Sequence, residues 1–170
     1  MKLHSRKLLL KLAWGTAVVL VAVHVGNLML LGSRLPEALG SHWNLGGTAD
    51  AAGSLPQTVW GGVAAIVVLC GLATLGLLPP SRGKQEAGPL LLGVCTGGAV
   101  VATGMMLAGT LGQLDSASGV GSPMHLPTSI GALVAGAAWG IGSAMLLNAS
   151  APDAPRPARR DSATGAGPGN

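Results

Sequence analysis

Four long apolar stretches separated by polar segments organise the chain, at residues 8–31, 58–78, 90–111 and 129–147. Each is close to the roughly 20 residues that carry an α-helix across the hydrocarbon core of a bilayer. The pattern predicts an all-α integral membrane protein: a four-transmembrane-helix bundle (residues 1–148) with a disordered C-terminal tail (149–170).

Several boundaries carry their own signals. Ser54, Pro56 and Gln57 open the second stretch: Ser54 can accept from the backbone N–H near Gln57, Gln57 can reach back, and Pro56 needs no N–H in a first turn. Pro79 and Pro80 end that stretch, and Pro89 stands where a third helix tolerates it best. The first stretch begins like a signal peptide but is longer than a signal's apolar region, and no small-x-small site follows it. It is expected to remain as an uncleaved anchor. Beyond Asn148 the chain is mostly Ala, Pro, Arg, Ser and Gly, too little apolar surface to offset the entropy of ordering.

Charge gives the bundle a direction. Cytoplasmic loops collect Lys and Arg. With the N-terminus inside, Lys2, Arg6, Lys7, Lys11, Arg82, Lys84, Arg156, Arg159 and Arg160 all fall on the inner side, and Arg34 alone falls on the outer side. Both termini are therefore expected in the cytoplasm of a cell whose plasma membrane holds the protein. The same placement removes the nucleic-acid reading that a net charge of +4 and a pI near 9.7 would otherwise invite, because the cations flank apolar stretches instead of forming one patch.

Composition sharpens this picture. The chain is 49% hydrophobic and 9% charged, well short of the quarter or so of charged residues in a soluble domain. Phe and Tyr are absent and Gly reaches 28, so helices must approach through small residues. Ala132, Gly136, Gly140 and Ala144 form such a face, and Gly93 with Gly97 forms another. Tight packing within the chain, a homo-oligomer and a membrane protein partner all fit these faces. Cys70 and Cys95 fall inside spans, where a packed thiol is the usual state.

Polar residues inside the spans are few. His24 and Asn27, three apart, share a face that should turn toward other helices. Thr96, Thr103 and Thr110 recur every seven residues, so they either line a polar seam or bond to carbonyls one turn back on their own helix. With no Asp or Glu inside a span, a proton relay through His24 has no partner. No nucleophile, acid and base arrangement, zinc helix or phosphate-cradling loop occurs at the required spacing, so the chain is not expected to be an enzyme, and no cofactor is implied.

The most distinctive segment is the outer loop between the first two spans. Pro36 fixes one φ angle, Asn44, Gly46, Gly47 and Gly53 suit positive φ, Asp50 can bond nearby amides, and Trp43 suits the headgroup level. His42, Asn44 and Asp50 are ordinary ligand types, but they make an incomplete metal site unless His125 or Asp115 of the second outer loop joins them.

The spacing Leu35-Pro36, then His42-Trp43-Asn44-x-x-Gly47-x-x-Asp50-x-x-Gly53-Ser54 running straight into a helix, resembles the bacterial membrane family DUF1648 (domain of unknown function 1648). Gly40, Ala52 and Leu55 stand where the family pattern has a second proline, an aromatic residue and a lysine. The resemblance implies that this loop lies outside the cytoplasm. It is similar to a domain of immunity proteins that protect spore-forming bacteria from a secreted toxin and relay its presence to a repressor. Recognition of an envelope peptide or toxin, in immunity or signalling, is what the resemblance implies. A small transporter or channel component and a structural subunit of a membrane complex stay open beside it.

Overall fold

The computed structural model describes residues 3–78 and 87–149. Lys2, the basic loop with Arg82 and Lys84, and the tail beyond Ala149 lie outside the described residues. Four helices are long and apolar enough to cross a membrane. They are α1 (Leu3–Leu31), α2 (Leu55–Leu75), α3 (Ala87–Gly112) and α4 (Leu126–Ala149). Each contains most or all of an expected span; α2 stops at Leu75 instead of residue 78, where Gly76 begins a run of turns whose amides return to Ala73, Thr74 and Leu75.

The expected all-α architecture needs one correction. Between α1 and α2, after a single 3-10 turn at Gly32–Arg34, the chain forms an antiparallel hairpin of β1 (Ala38–Trp43) and β2 (Ala49–Ser54). Neither strand is rich in the β-branched and aromatic residues that mark a strand. What fixes them is pairing on both sides, described below, not propensity.

Helix α3 packs against all three other helices, most extensively against α4. The glycines explain that contact. A Cβ at Gly93 would stand 2.6 Å from the Gly140 carbonyl oxygen, and one at Gly97 would stand 2.6 Å from that of Gly136. From the other side, a Cβ at Gly140 would stand 2.7 Å from the Gly93 carbonyl oxygen. Backbones therefore touch, which is how helices gain dispersion contact where lipid removes the hydrophobic drive. The Gly/Ala faces weighed as homo-oligomer surfaces thus meet each other, α3 against α4, within the chain.

Helices α2 and α3 run antiparallel in a register set by small residues. Gly76 and Gly88 approach closely, a Cβ at Gly88 lying 2.7 Å from the Gly76 carbonyl oxygen. Ile66 and Cys70 bury with Ala99 and Ala17, and farther from the hairpin Leu9, Ala73, Leu77, Leu92, Cys95 and Leu147 form a second cluster. Both cysteines are free and buried in these clusters. Toward the hairpin, α1 meets α2 where His24 lies over Gly62, with no room for a Cβ there.

Candidate functional site: a cap built from both loops

Two loops meet at the hairpin end of the bundle. The hairpin turn is a three-residue loop, Leu45 to Gly47. The Asn44 amide donates to the Thr48 carbonyl at 3.0 Å, and the Gly47 amide donates to the Asn44 carbonyl at 2.9 Å. Gly47 sits at φ 73°, the left-handed position that such loops require and glycine takes without strain. The Asn44 side-chain oxygen accepts from the Gly46 amide at 2.9 Å and the Thr48 amide at 3.3 Å, fixing the turn from inside.

The register contains one extra residue on each strand. Gly40 pairs with Ala52 and His42 with Ala51, leaving Ser41 over, and Trp43 pairs with Ala49, leaving Asp50 over. Such bulges re-aim side chains. Here the His42 imidazole Nδ1 and the Asp50 carboxylate come to 2.5 Å on the exposed face. The sequence predicts that Asp50 bonds backbone amides; it takes a side chain instead, because the bulge turns both groups to one side.

The α3–α4 loop closes against this hairpin like a third strand. The Gly119 amide donates to the Ala38 carbonyl at 3.1 Å, the Ala49 amide to Ser122 at 3.0 Å, the Gly121 amide to Ala49 at 2.8 Å, and the Met124 amide to Gly47 at 2.9 Å. Thr48 and Pro123 form an isolated bridge in the same line. Gly119 is obligatory for the approach, since a Cβ there would collide with the Ala38 carbonyl and the Gly40 amide.

Two side chains lock the closure. Gln113, 2% exposed at the end of α3, accepts from the Gly40 amide at 2.6 Å and donates to the Gly109 carbonyl at 2.9 Å. At the rim, the Arg34 guanidinium grips the Asp115 carboxylate with both nitrogens, Nε at 3.1 Å from Oδ1. That grip holds the Asp115 carboxyl below its ordinary range, chiefly through the hydrogen bond from Arg34, with desolvation opposing it and the Arg34 charge assisting. Asp115 itself sits at φ 58°, a left-handed conformation that Asp tolerates better than most residues. Neither Gln113 nor the Arg34–Asp115 pair stands out in the sequence, because each looks like an ordinary polar residue at a helix end.

Between the hairpin, α2 and α3 lies a half-open cavity of about 300 Å³ lined by Leu39, Ser41, Trp43, Gln57, Thr58 and Thr110, among others. The Trp43 ring lies on α3 where Gly109 leaves space, and its indole nitrogen is buried without a partner among the described residues. Trp43 is thus a wall of the cavity.

The remaining motif residues are scaffold. Pro36 is buried beside the hairpin start. Ser54 caps α2 by accepting from the Gln57 amide at 3.4 Å. The reciprocal reach of Gln57 is replaced by its amide group lying against Gly53, where a Cβ would come within 3.2 Å of the Gln57 side-chain oxygen.

The three threonines inside the bundle are engaged locally. Thr96, Thr103 and Thr110 donate to the carbonyls of Leu92, Ala99 and Met106 at 2.8–2.9 Å, one turn back on α3. His24 is 3% exposed, and its Nε2 lies 3.3 Å from the Thr58 carbonyl, linking α1 to α2. Asn27 is half-buried. The second-loop groups do not complete a metal site with His42 and Asp50. Asp115 is held by Arg34, His125 Nδ1 lies 2.8 Å from the Thr128 hydroxyl, and no group of three His, Cys, Asp or Glu side chains gathers among the described residues.

No family model matches this chain, and neither does any curated protein or solved structure.

Proposed function

We propose that the chain is a multi-pass plasma-membrane protein, related to the DUF1648 family, whose outer cap recognises a secreted or envelope peptide in immunity or signalling. Both termini lie in the cytoplasm on this reading, and the hairpin and the α3–α4 loop face outward. Four apolar helices support insertion, and the charge bias supports the direction.

The observation that carries the recognition role is the cap itself. Two loops distant in sequence are joined by backbone pairing and by Gln113 over a cavity of about 300 Å³. Bundles of membrane helices need only short connections. A preorganised, mostly apolar cavity with a few polar groups on its wall is instead the form that binding sites take. The residues whose spacing resembles the family, from Pro36 to Ser54, build that cap.

The test is tolerance of the native host to the peptide fraction of its own spent medium. A deletion strain should be sensitised, the wild-type gene should restore tolerance, and Gly61→Leu should not. Gly61 lines the cavity and a Cβ there meets nothing within 4 Å, so leucine fills the space without straining the helix. His42→Ala and Asp50→Ala, at normal protein levels, should also weaken tolerance. A deletion strain as tolerant as its parent would end this reading.

A further inference from the structure

The end of the bundle opposite the cap carries cations that have no acidic partner among the described residues. Arg6, Lys7 and Lys11 occupy the first turns of α1, while the described acidic residues, Glu37, Asp50 and Asp115, all lie at the cap end. Both described ion pairs are there too. Lys7 and Lys11 are exposed and one turn apart, and the Arg6 Nε is buried with no partner among the described residues. Leu9 and Ala13, in the same turns, pack with Leu77, Leu92 and Leu147, which fixes this level at the far ends of α2 and α4 from the hairpin.

One helical turn beyond Lys11 an apolar groove opens. It has a volume of about 400 Å³ and runs between α1 and α4 across α3, lined by Leu12, Gly15, Val19, Val100 and Trp139 among others. Thr16, also on its wall, turns its hydroxyl to the Leu12 carbonyl at 2.8 Å, so the surface stays apolar. Lys11 precedes Gly15 by one helical turn, and helical side chains lean toward the N-terminus, which carries the Lys11 ammonium below the groove's lower end.

We infer that the groove and these cations form one site for an anionic glycerophospholipid of the cytoplasmic leaflet. An acyl chain lies along Leu12, Gly15 and Val19 toward Trp139, and the phosphodiester meets Lys11. Charge complementarity selects the occupant: an apolar channel that begins one helical turn from Lys11, with no acidic residue beside it among the described residues, matches an anionic amphiphile and not a neutral one. The inference rests on the membrane placement proposed above.

The experiment uses the full chain in phosphatidylcholine nanodiscs containing phosphatidylglycerol, with retained lipid counted by native mass spectrometry. Phosphatidylglycerol should be retained over phosphatidylcholine, and Lys11→Gln should lower that retention about fivefold, the effect of one cation near an anionic headgroup. Gly15→Leu should block the groove and reduce retention, because a Cβ there meets nothing within 4 Å and the helix accepts the side chain. Gly26→Leu, equally unhindered but outside the groove, should behave as wild type. Equal retention of the two lipids, unchanged retention in both Lys11→Gln and Gly15→Leu, or displacement by inorganic phosphate alone would overturn the site. Failure of the chain to enter nanodiscs would overturn the membrane placement as well, so the two failures are distinguishable.

Discussion

The Gly40 amide donates a hydrogen bond of 2.6 Å to the buried Oε1 of Gln113, joining residues 73 apart in sequence. One carboxamide thereby connects the hairpin, the end of α3 and, through the Gly109 carbonyl, the wall against which Trp43 rests. The two loops therefore form one structural unit, and the stability of the cap should be sensitive to this side chain.

Replacing Gln113 with methionine keeps most of the volume and leaves the Gly40 amide buried without an acceptor. An unpaired buried donor costs about 1–3 kcal/mol. The expected outcome is a loss of that size in the reversible unfolding of the purified protein in detergent. Earlier loss of Trp43 fluorescence should accompany it. An unchanged midpoint would mean that the amide finds water in the cap.

The Arg34–Asp115 pair predicts an acid-sensitive cap. Asp115 is held below its ordinary carboxylate range by Arg34. A depressed folded value stabilises the cap above the unfolded value, and that contribution is lost as pH falls through the folded value. Both groups are exposed, so the effect is small and weakens with salt. Hydrogen exchange of the Asp115 amide, which donates to the Arg34 carbonyl, should accelerate relative to other cap amides as the carboxylate protonates. In Asp115→Asn that acid dependence should disappear.

Gly47 holds φ 73° at the close of the hairpin turn. Forcing alanine into that conformation costs about 1–2 kcal/mol. Gly47→Ala should therefore lower the stability of the cap by about this amount, measured in the same detergent unfolding experiment. Gly98→Ala, whose Cβ meets nothing within 4 Å and whose φ is not positive, should be neutral or slightly stabilising.

The glycine contact between α3 and α4 gives a paired test. At Gly140 a Cβ would stand 2.7 Å from the Gly93 carbonyl oxygen, whereas at Gly142 it meets nothing within 4 Å. Gly140→Leu must push the α3 and α4 backbones away from each other and should destabilise the protein by about 1–3 kcal/mol or more. Gly142→Leu should leave unfolding unchanged. Equal effects would mean that α3 and α4 do not pack through this face.

These contrasts also separate what can be read from the residues from what cannot. The helices are legible because four apolar runs each reach spanning length, and Ser54 and Pro56 mark one boundary. Gly93, Gly97, Gly136 and Gly140 are legible as approach points, though their spacing does not say that α3 meets α4 and not a second molecule. The hairpin is hidden because Ala38 to Trp43 contains no β-branched residue and owes its strand form to long-range pairing. The His42–Asp50 contact depends on bulges at Ser41 and Asp50 that no local pattern announces. Gln113 reads as the first residue of a loop, and only its burial against Gly40 shows otherwise.

The central claim is that the cap faces outward across a membrane from the N-terminal end of α1. Leu45, fully exposed at the hairpin turn, and Lys7, exposed in the first turns of α1, report the two sides. Single cysteines at these positions, in a chain whose buried Cys70 and Cys95 are replaced by alanine, can be labelled with a membrane-impermeant maleimide in intact and permeabilised cells. Leu45→Cys should label in intact cells and Lys7→Cys only after permeabilisation. Labelling of Lys7→Cys in intact cells with Leu45→Cys protected, or of both alike, would contradict the account.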